Sequence, residues 1–226
     1  MDLIYLMGGT GKRAGLGYPK QFYKMFGKYL FLFGLDVFCN IKEIENIILP
    51  TEKDRQYEIK DILIKNNLYN KKKFVFCDKG NTRQMSVYNG LLKVNTDLVL
   101  ISESVRPFIT KKLVKRIIED DYENVTPIDK SKASVIDIYN NIYNRDDIGT
   151  VQMPQKFNCE KLLKAHECEI EKNDINNTDD TKVLLKYFSY INVIYGIEEN
   201  IKVTTPLDLA IAKAIYKYKY EKMGAE

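Results

Sequence analysis

Near the start of the chain, the cations Lys12, Arg13 and Lys20 stand among the glycines Gly8, Gly9, Gly11, Gly15 and Gly17. Glycine lets a backbone turn sharply and come close to a bound group with no Cβ in the way. Main-chain N–H groups turned inward by such a loop cradle anionic oxygens, and the cations add fixed positive charge. The chemistry this combination can do is phosphate binding. The loop follows Leu3-Ile4-Tyr5-Leu6, a short apolar run that reads as a buried strand.

Several kinds of glycine-rich loop bind phosphate. A Walker A loop needs four residues between its first glycine and a Gly-Lys-Ser/Thr end. Here Gly11-Lys12 is followed by Arg13, and Leu6 stands where the first glycine belongs, so that kind is excluded. The frame Gly9-x-Gly11-x-x-Ala14 fits a dinucleotide fingerprint, which should open a helix directly and be followed by an acid after the second strand. Gly15, Gly17 and Pro19 delay any helix, and the second strand candidate, Asn46-Ile47-Ile48-Leu49, ends in Pro50. A merely flexible loop leaves the cluster of cations unexplained.

The elements that must hold this loop alternate in type. Tyr29 to Phe38 has helical spacing, Asn46–Leu49 is β-rich, and Glu52 to Asn66 reads as an amphipathic helix. Phe74–Cys77 and Leu98–Ile101 are further strands, and Thr82 and Thr110 are placed to cap the helices that follow them. Such alternation predicts a mostly parallel sheet with helices on both faces. Ligands of such sheets bind outside the carboxyl ends of the strands, where the opening loop, Asp78–Arg83 and Ser102–Arg106 all fall. Val125 to Gln155 breaks the pattern and reads as an excursion from the core, with β-like pieces at Ser134–Tyr139 and Thr150–Met153. Helices are expected over Asn158–Glu171, Asp179–Tyr187 and Pro206–Tyr220, with a strand at Ile191–Tyr195.

Composition narrows the partners. With 226 residues, 45% hydrophobic and 29% charged, the chain can bury a full core. A net charge of +4 with no basic helix interleaved with aromatics argues against nucleic acid and is compatible with a small anionic substrate. Cys39, Cys77, Cys159 and Cys168 form no Cys-x-x-Cys pair and have only His166 for company, so neither zinc nor a disulfide framework is expected. The N-terminus lacks a cationic region and its apolar run breaks at Gly8; no stretch reaches the length of a membrane span. A reducing cytoplasm is the expected compartment.

With these segments placed, the chain resembles the cytidylyltransferases that form CDP-polyols, among them the 2-C-methyl-D-erythritol 4-phosphate and ribitol-5-phosphate enzymes. Six blocks carry the resemblance in order: Gly8-Gly9-Thr10-Gly11-Lys12-Arg13 with Pro19-Lys20-Gln21-Phe22; Lys79-Gly80-Asn81-Thr82-Arg83-Gln84-Met85-Ser86-Val87; Ser102 to Phe108; Gln152 to Phe157; Thr178-Asp179-Asp180; and Asn200 to Leu209. It implies a Rossmann-like three-layer α/β/α sandwich over residues 1–226, read as one nucleotidyltransferase domain with a protruding β-arm at about 128–152. It also implies attack of a substrate phosphate oxygen on the α-phosphorus of CTP with release of pyrophosphate. Such a transition state gathers negative charge, so positioning and cations dominate.

The resemblance assigns roles residue by residue. Arg13, Lys20 and Lys202 would act on the reacting phosphates. Met7, Gly8, Gly9, Thr10, Gly11, Gly80, Asn81, Arg83, Ser86 and Ser104 would hold the nucleotide, with Ser86 and the backbone around Gly8, Gly80 and Asn81 at the cytosine- and ribose-reading positions. Glu103 stands where the family has the aspartate that holds magnesium. Lys130, Arg145, Met153 and Glu198 would face the acceptor, and a homodimer is expected because family arms reach across to a partner's site. Lys12 is read as a solvent-facing charge, and Arg106 as either a strand-end anchor or a site residue.

The departures concern the acceptor and the metal. Ser102 replaces a histidine, Glu103 an aspartate and Met153 a threonine, and Asp129-Lys130 stands for Asp-Thr. The Gly-Gly-Thr-Gly loop and the Ser104-Val105-Arg106-Pro107-Phe108-Ile109-Thr110 stretch lean toward the cell-surface polyol branch, so ribitol phosphate or a similar glycan precursor is the expected acceptor. The methylerythritol enzyme is the alternative, and a relative that binds nucleotide without turnover is a third.

Overall fold

The computed structural model describes residues 1–9, 11 and 15–223, the last four of these by backbone alone. Its first strand, β1 (Asp2–Leu6), sets the layering. Leu3 and Tyr5 join one apolar cluster while Ile4 and Leu6 join another. A strand sends successive side chains to opposite faces, so a strand apolar on both is covered on both.

The chain then forms a small hairpin, β2 (Lys24–Met25) and β3 (Lys28–Tyr29), followed by α1 (Leu30–Cys39), β4 (Asn46–Thr51), α2 (Gln56–Lys65), β5 (Lys73–Asp78), α3 (Arg83–Leu91), β6 (Leu98–Glu103) and α4 (Lys111–Ile118). Next come β7 (Val125–Lys130), β8 (Val135–Ile136), β9 (Ile142–Tyr143), β10 (Gly149–Val151), β11 (Gln155–Asn158), α5 (Cys159–Glu171), α6 (Asp180–Leu185), β12 (Asn192–Tyr195) and α7 (Pro206–Met223). An 8-stranded sheet runs β10-β7-β11-β6-β1-β4-β5, with β12 added on β7. Its β6-β1-β4-β5 core is parallel, as is the β7–β12 pair, whereas β11 and β10 join antiparallel. Phe31, Leu35, Phe38, Ile59, Leu113 and Val114 cover one face; Val87, Leu91, Leu162 and Leu184 cover the other. The expected three-layer α/β/α sandwich is present.

Topology creates the crevice. From β1 the chain steps to β4 and β5 on one side, then returns to place β6 on the other side of β1. That reversal separates the loops leaving β1 and β6 and opens a gap at their carboxyl ends, where ligands of open α/β sheets bind. The helix caps are as read: Thr82 Oγ1 accepts from Met85 N–H and Thr110 Oγ1 from Leu113 N–H.

Two local readings differ from the structure. β4 does not stop before Pro50 but continues to Thr51, because proline loses only its N–H and the Pro50 carbonyl still accepts from Met7 N–H at 3.2 Å. The excursion is narrower than Val125 to Gln155: β7 lies in the large sheet with Val125, Thr126 and Pro127 buried, and β11, unread in sequence, fills the gap between β6 and β7. The protrusion is the β8–β9 pair, carried on the Ile128–Lys130 and Gly149–Val151 ladder. Among the described residues no helix is long and apolar enough to cross a membrane.

Candidate active site

A cleft of about 470 Å³ opens at the carboxyl ends of β1, β5 and β6. Its walls bring together Gly8, Gly9, Lys20, Gly80, Asn81, Arg83, Ser86, Glu103, Ser104 and Lys202. These come from four separate stretches of chain, and all ten were assigned to the site from sequence. Thr10 and Arg13, and with them Lys12, lie outside the described residues.

The opening loop is fixed by a residue that carried no assigned role. Gln21, on a 3-10 turn spanning Lys20–Phe22, donates from Nε2 to the carbonyls of Met7 at 2.6 Å and Gly9 at 2.9 Å. This clamps the glycine strip against the turn that carries Lys20, a largely buried lysine that still lines the cleft. Gly11 has φ +73°, and a Cβ there would fall 2.6 Å from the Tyr18 carbonyl oxygen, so glycine is required. Met7 is buried in the core and does not line the cleft.

The second wall is the turn into α3. A Cβ on Gly80 would meet Met85 Cβ at 2.3 Å, so only glycine lets the turn pack on the helix. Ser86 Oγ accepts from Gly80 N–H at 3.0 Å and donates to the Thr82 carbonyl at 2.9 Å. Capping and site-building thus share one hydroxyl, which keeps one lone pair for a ligand donor. Lys79, also unassigned in sequence, lies over Gly8 and pairs with Glu52 at 2.6 Å. No periodicity links residues 27 apart; the parallel pairing of β4 and β5 aligns their ends.

The third wall holds the charge. Glu103 ends β6 opposite Leu6 and is buried among three cations: Lys202 Nζ at 2.7 Å, Arg83 Nε at 3.3 Å and Arg106 Nε at 3.4 Å. Burial alone would raise its carboxyl, but Arg83, Lys202 and Arg106 outweigh burial and hold it down to about 2. Glu103 is therefore an anion at neutral pH. Arg106 resolves as an anchor that also touches the site acid: its Nη1 donates to the Asn200 carbonyl at 2.7 Å. Asn200 Nδ2 donates to the Met153 carbonyl, and Val203 N–H donates to the Val105 carbonyl. This stitching delivers Lys202 to Glu103.

The acceptor-facing assignments are not brought into the cleft. Met153 is buried and engaged through its carbonyl with Asn200. Lys130 lines a separate hollow on the arm and pairs with Asp146 at 2.9 Å. Arg145 is exposed on the loop after β9, and Glu198 pairs with Lys132. The physical reason is the arm itself, which projects from the sheet edge through β7 and β10 and so carries these side chains away from the crevice of their own chain.

The donor set of the cleft suits magnesium. Among the described residues there is no group of three or more histidine, cysteine or acidic side chains able to cage a metal. Glu103 is a single ionised carboxylate facing the cleft. That suits an ion which takes one or two carboxylates and completes its shell with water and phosphate oxygens, so Glu103 fits as the one protein ligand.

A glycine-lined anion cradle at a sheet switch point, faced by Lys20, Lys202 and an ionised acid, defines an α/β nucleotidyltransferase. A family model described as 2-C-methyl-D-erythritol 4-phosphate cytidylyltransferase matches residues 1–218. The chain belongs to that family and is a CTP-dependent cytidylyltransferase. It is 35% identical over 222 residues to a 2-C-methyl-D-erythritol 4-phosphate cytidylyltransferase of Fusobacterium nucleatum, covering 94% of this chain and 95% of the relative. It is 34% identical over 227 residues to one of Clostridium botulinum type A, covering 95% and 96%. Among solved structures, the 4-diphosphocytidyl-2C-methyl-D-erythritol synthase of Anaerococcus prevotii superposes with TM-score 0.82 at 29% identity over 96% of this chain and 95% of the other.

Proposed function

We propose that this enzyme transfers CMP from CTP to 2-C-methyl-D-erythritol 4-phosphate, releasing pyrophosphate. The family match over residues 1–218 supports this acceptor over ribitol phosphate, and the three relatives described above carry methylerythritol names and none a ribitol name. The lean drawn from the Gly8–Gly11 and Ser104–Thr110 stretches toward the cell-surface branch is therefore set aside. The nucleotide-binding relative without turnover is disfavoured by an ionised Glu103 and by Lys20 and Lys202 facing one cleft.

In the reaction, an acceptor phosphate oxygen bonds to the α-phosphorus while the bond to the bridging oxygen of pyrophosphate breaks. Gly8 and Gly9 offer backbone N–H groups to the triphosphate, and Lys20 stands beside them. Lys202, held in place by Glu103, meets the phosphates as negative charge gathers, which stabilises the transition state more than the ground state. Arg13 is assigned the same work on the leaving pyrophosphate. Magnesium, when bound, would neutralise phosphate charge, and Glu103 would hold it. Gly80, Asn81, Ser86 and Ser104 seat the cytidine.

Arg145 and Lys130 bind the acceptor phosphate in a homodimer, each arm completing the partner's cleft. The exposed apolar face of the arm, with Ile138 89% and Ile142 76% exposed, supports that association. The test is pyrophosphate release with CTP, magnesium and a panel containing 2-C-methyl-D-erythritol 4-phosphate and ribitol 5-phosphate. The methylerythritol substrate should give the higher kcat/KM; preference for ribitol 5-phosphate would overturn the acceptor, and no turnover with any would overturn the reaction.

A further inference from the structure

Behind the cleft, a fully buried carboxylate is shared between two partners. Asp180, the first residue of α6, accepts from Arg83 Nη2 on Oδ2 at 2.8 Å, and His166 Nε2 of α5 lies 3.4 Å from its Oδ1. The His166 and Asp180 side chains are 0% and 1% exposed. Neither ring nitrogen of His166 nor Asp180 Oδ1 has a formed hydrogen bond among the described residues, and the 3.4 Å approach of Nε2 to Oδ1 is their polar contact. Buried polar atoms left alone are costly, so the orphan imidazole and the orphan oxygen serve each other.

The pairing continues forward into the site. Arg83 reaches Glu103 with Nε at 3.3 Å, and Glu103 meets Lys202 at 2.7 Å. Each link crosses from one element to the next: α5, α6, α3, the end of β6, and the segment before α7. Asp180 and Glu103 together outweigh the effect of burial on the Arg83 guanidinium and hold it firmly protonated. A guanidinium shared by two acids takes its place from both. Were Asp180 free to turn away, the whole charge of Arg83 would fall on Glu103. That carboxylate already carries Arg106 and Lys202, and a reoriented Glu103 would no longer present Lys202 to the phosphates.

We propose that His166 is a positioning residue for nucleotidyl transfer: its Nε2–H donates to Asp180, which fixes Arg83 and through Arg83 the orientation of Glu103 beside Lys202. This rests on the reading of Glu103 and Lys202 as parts of the transfer site. His166 touches no substrate. Its effect falls on the chemical step, because the groups it aligns act where charge gathers, rather than on the cytidine-seating wall at Gly80 and Ser86.

The experiment compares wild type, His166→Leu and His166→Gln for kcat, for KM of CTP, and for thermal midpoint. Leucine fills the volume without a donor; glutamine places an amide N–H near the Nε2 position. The leucine variant should lose roughly tenfold or more in kcat, as for an outer-shell partner, with little change in the KM of CTP and no fall in thermal midpoint. The glutamine variant should recover most of that loss. Equal rates for the two variants, whether both normal or both low, would overturn the proposal. If the leucine variant folds poorly, Asp180→Asn replaces it, with the same kcat loss expected and a normal rate counting against the relay. A wild-type enzyme inert toward CTP and every acceptor would sink the assigned reaction instead, and that control is run first.

Discussion

Lys202 Nζ lies 2.7 Å from Glu103 Oε1, although 99 residues separate the two in the chain. The contact holds the lysine beside the cleft, half in solvent, against a buried carboxylate that three cations keep ionised. A cation held this way is preorganised: little needs to move when a triphosphate arrives.

Replacing Lys202 with alanine should therefore lower kcat by about 100-fold or more, the loss expected for one transition-state donor. Lys20→Ala should do the same from the opposite wall. Steady-state kinetics with CTP and the acceptor measure both, and a near-normal kcat in either variant would remove that residue from the reacting phosphates.

The α3 turn makes a different prediction. Ser86→Ala deletes an acceptor for Gly80 N–H and a donor to Thr82. At about 1 kcal/mol for each bond, the KM for CTP should rise on the order of tenfold while kcat changes less. Gly80→Ala should be more damaging, since its Cβ would stand 2.3 Å from Met85 Cβ. Titration of CTP binding separates these from variants that act on the chemical step, and unchanged affinity in both would remove the turn from the nucleotide site.

Acid should weaken the site from one direction. The Glu103 carboxyl sits at about 2 in the folded protein, below its ordinary 4.5. Between those values the unfolded chain binds a proton that the native state does not, so this stabilisation is present above pH 4.5 and fades as pH falls toward 2. Glu103→Gln, which mimics the protonated acid, should be less stable than wild type at pH 7, and the gap should narrow as pH falls. Urea midpoints at a series of pH values give the gap; a constant difference would contradict the assignment.

On the arm, Arg145→Ala should raise the KM for the acceptor by roughly tenfold or more, as for a lost charge-assisted bond, and leave the KM for CTP alone. Equal changes in both constants would place Arg145 elsewhere.

Association is tested separately. Ile138→Asp puts a charge on an 89% exposed apolar side chain of the arm. It should convert dimer to monomer by light scattering and raise the acceptor KM in parallel. A monomeric wild type would exclude an arm-built acceptor site.

The two layers of helices, the helix caps at Thr82 and Thr110 and the convergence of three loops were all legible in sequence, because each depends on local pattern. Apolar runs on both strand faces demand cover, and glycines beside lysines demand an anion. Less was legible where backbone pairing overrode local signals. β11 reads as ordinary polar chain, yet it closes the gap between β6 and β7 by pairing Gln155 with Ile101 and Phe157 with Val99. Pro50 looks like a strand stop, yet its carbonyl holds Met7.

The sequence by itself determined the chemistry class, since the loop from Gly8 to Lys20 and the spaced blocks after it have the composition that phosphate transfer needs. Tertiary structure alone decided which charges face one another. Glu103 meets Lys202, Arg83 meets Asp180, and Asp180 meets His166 through packing of distant elements. It also placed Lys130, Arg145 and Glu198 outside the cleft, on or beside the arm. Electrostatic pairing acts over a few ångströms of space, and a linear sequence carries no distances between segments that only a folded sheet brings side by side.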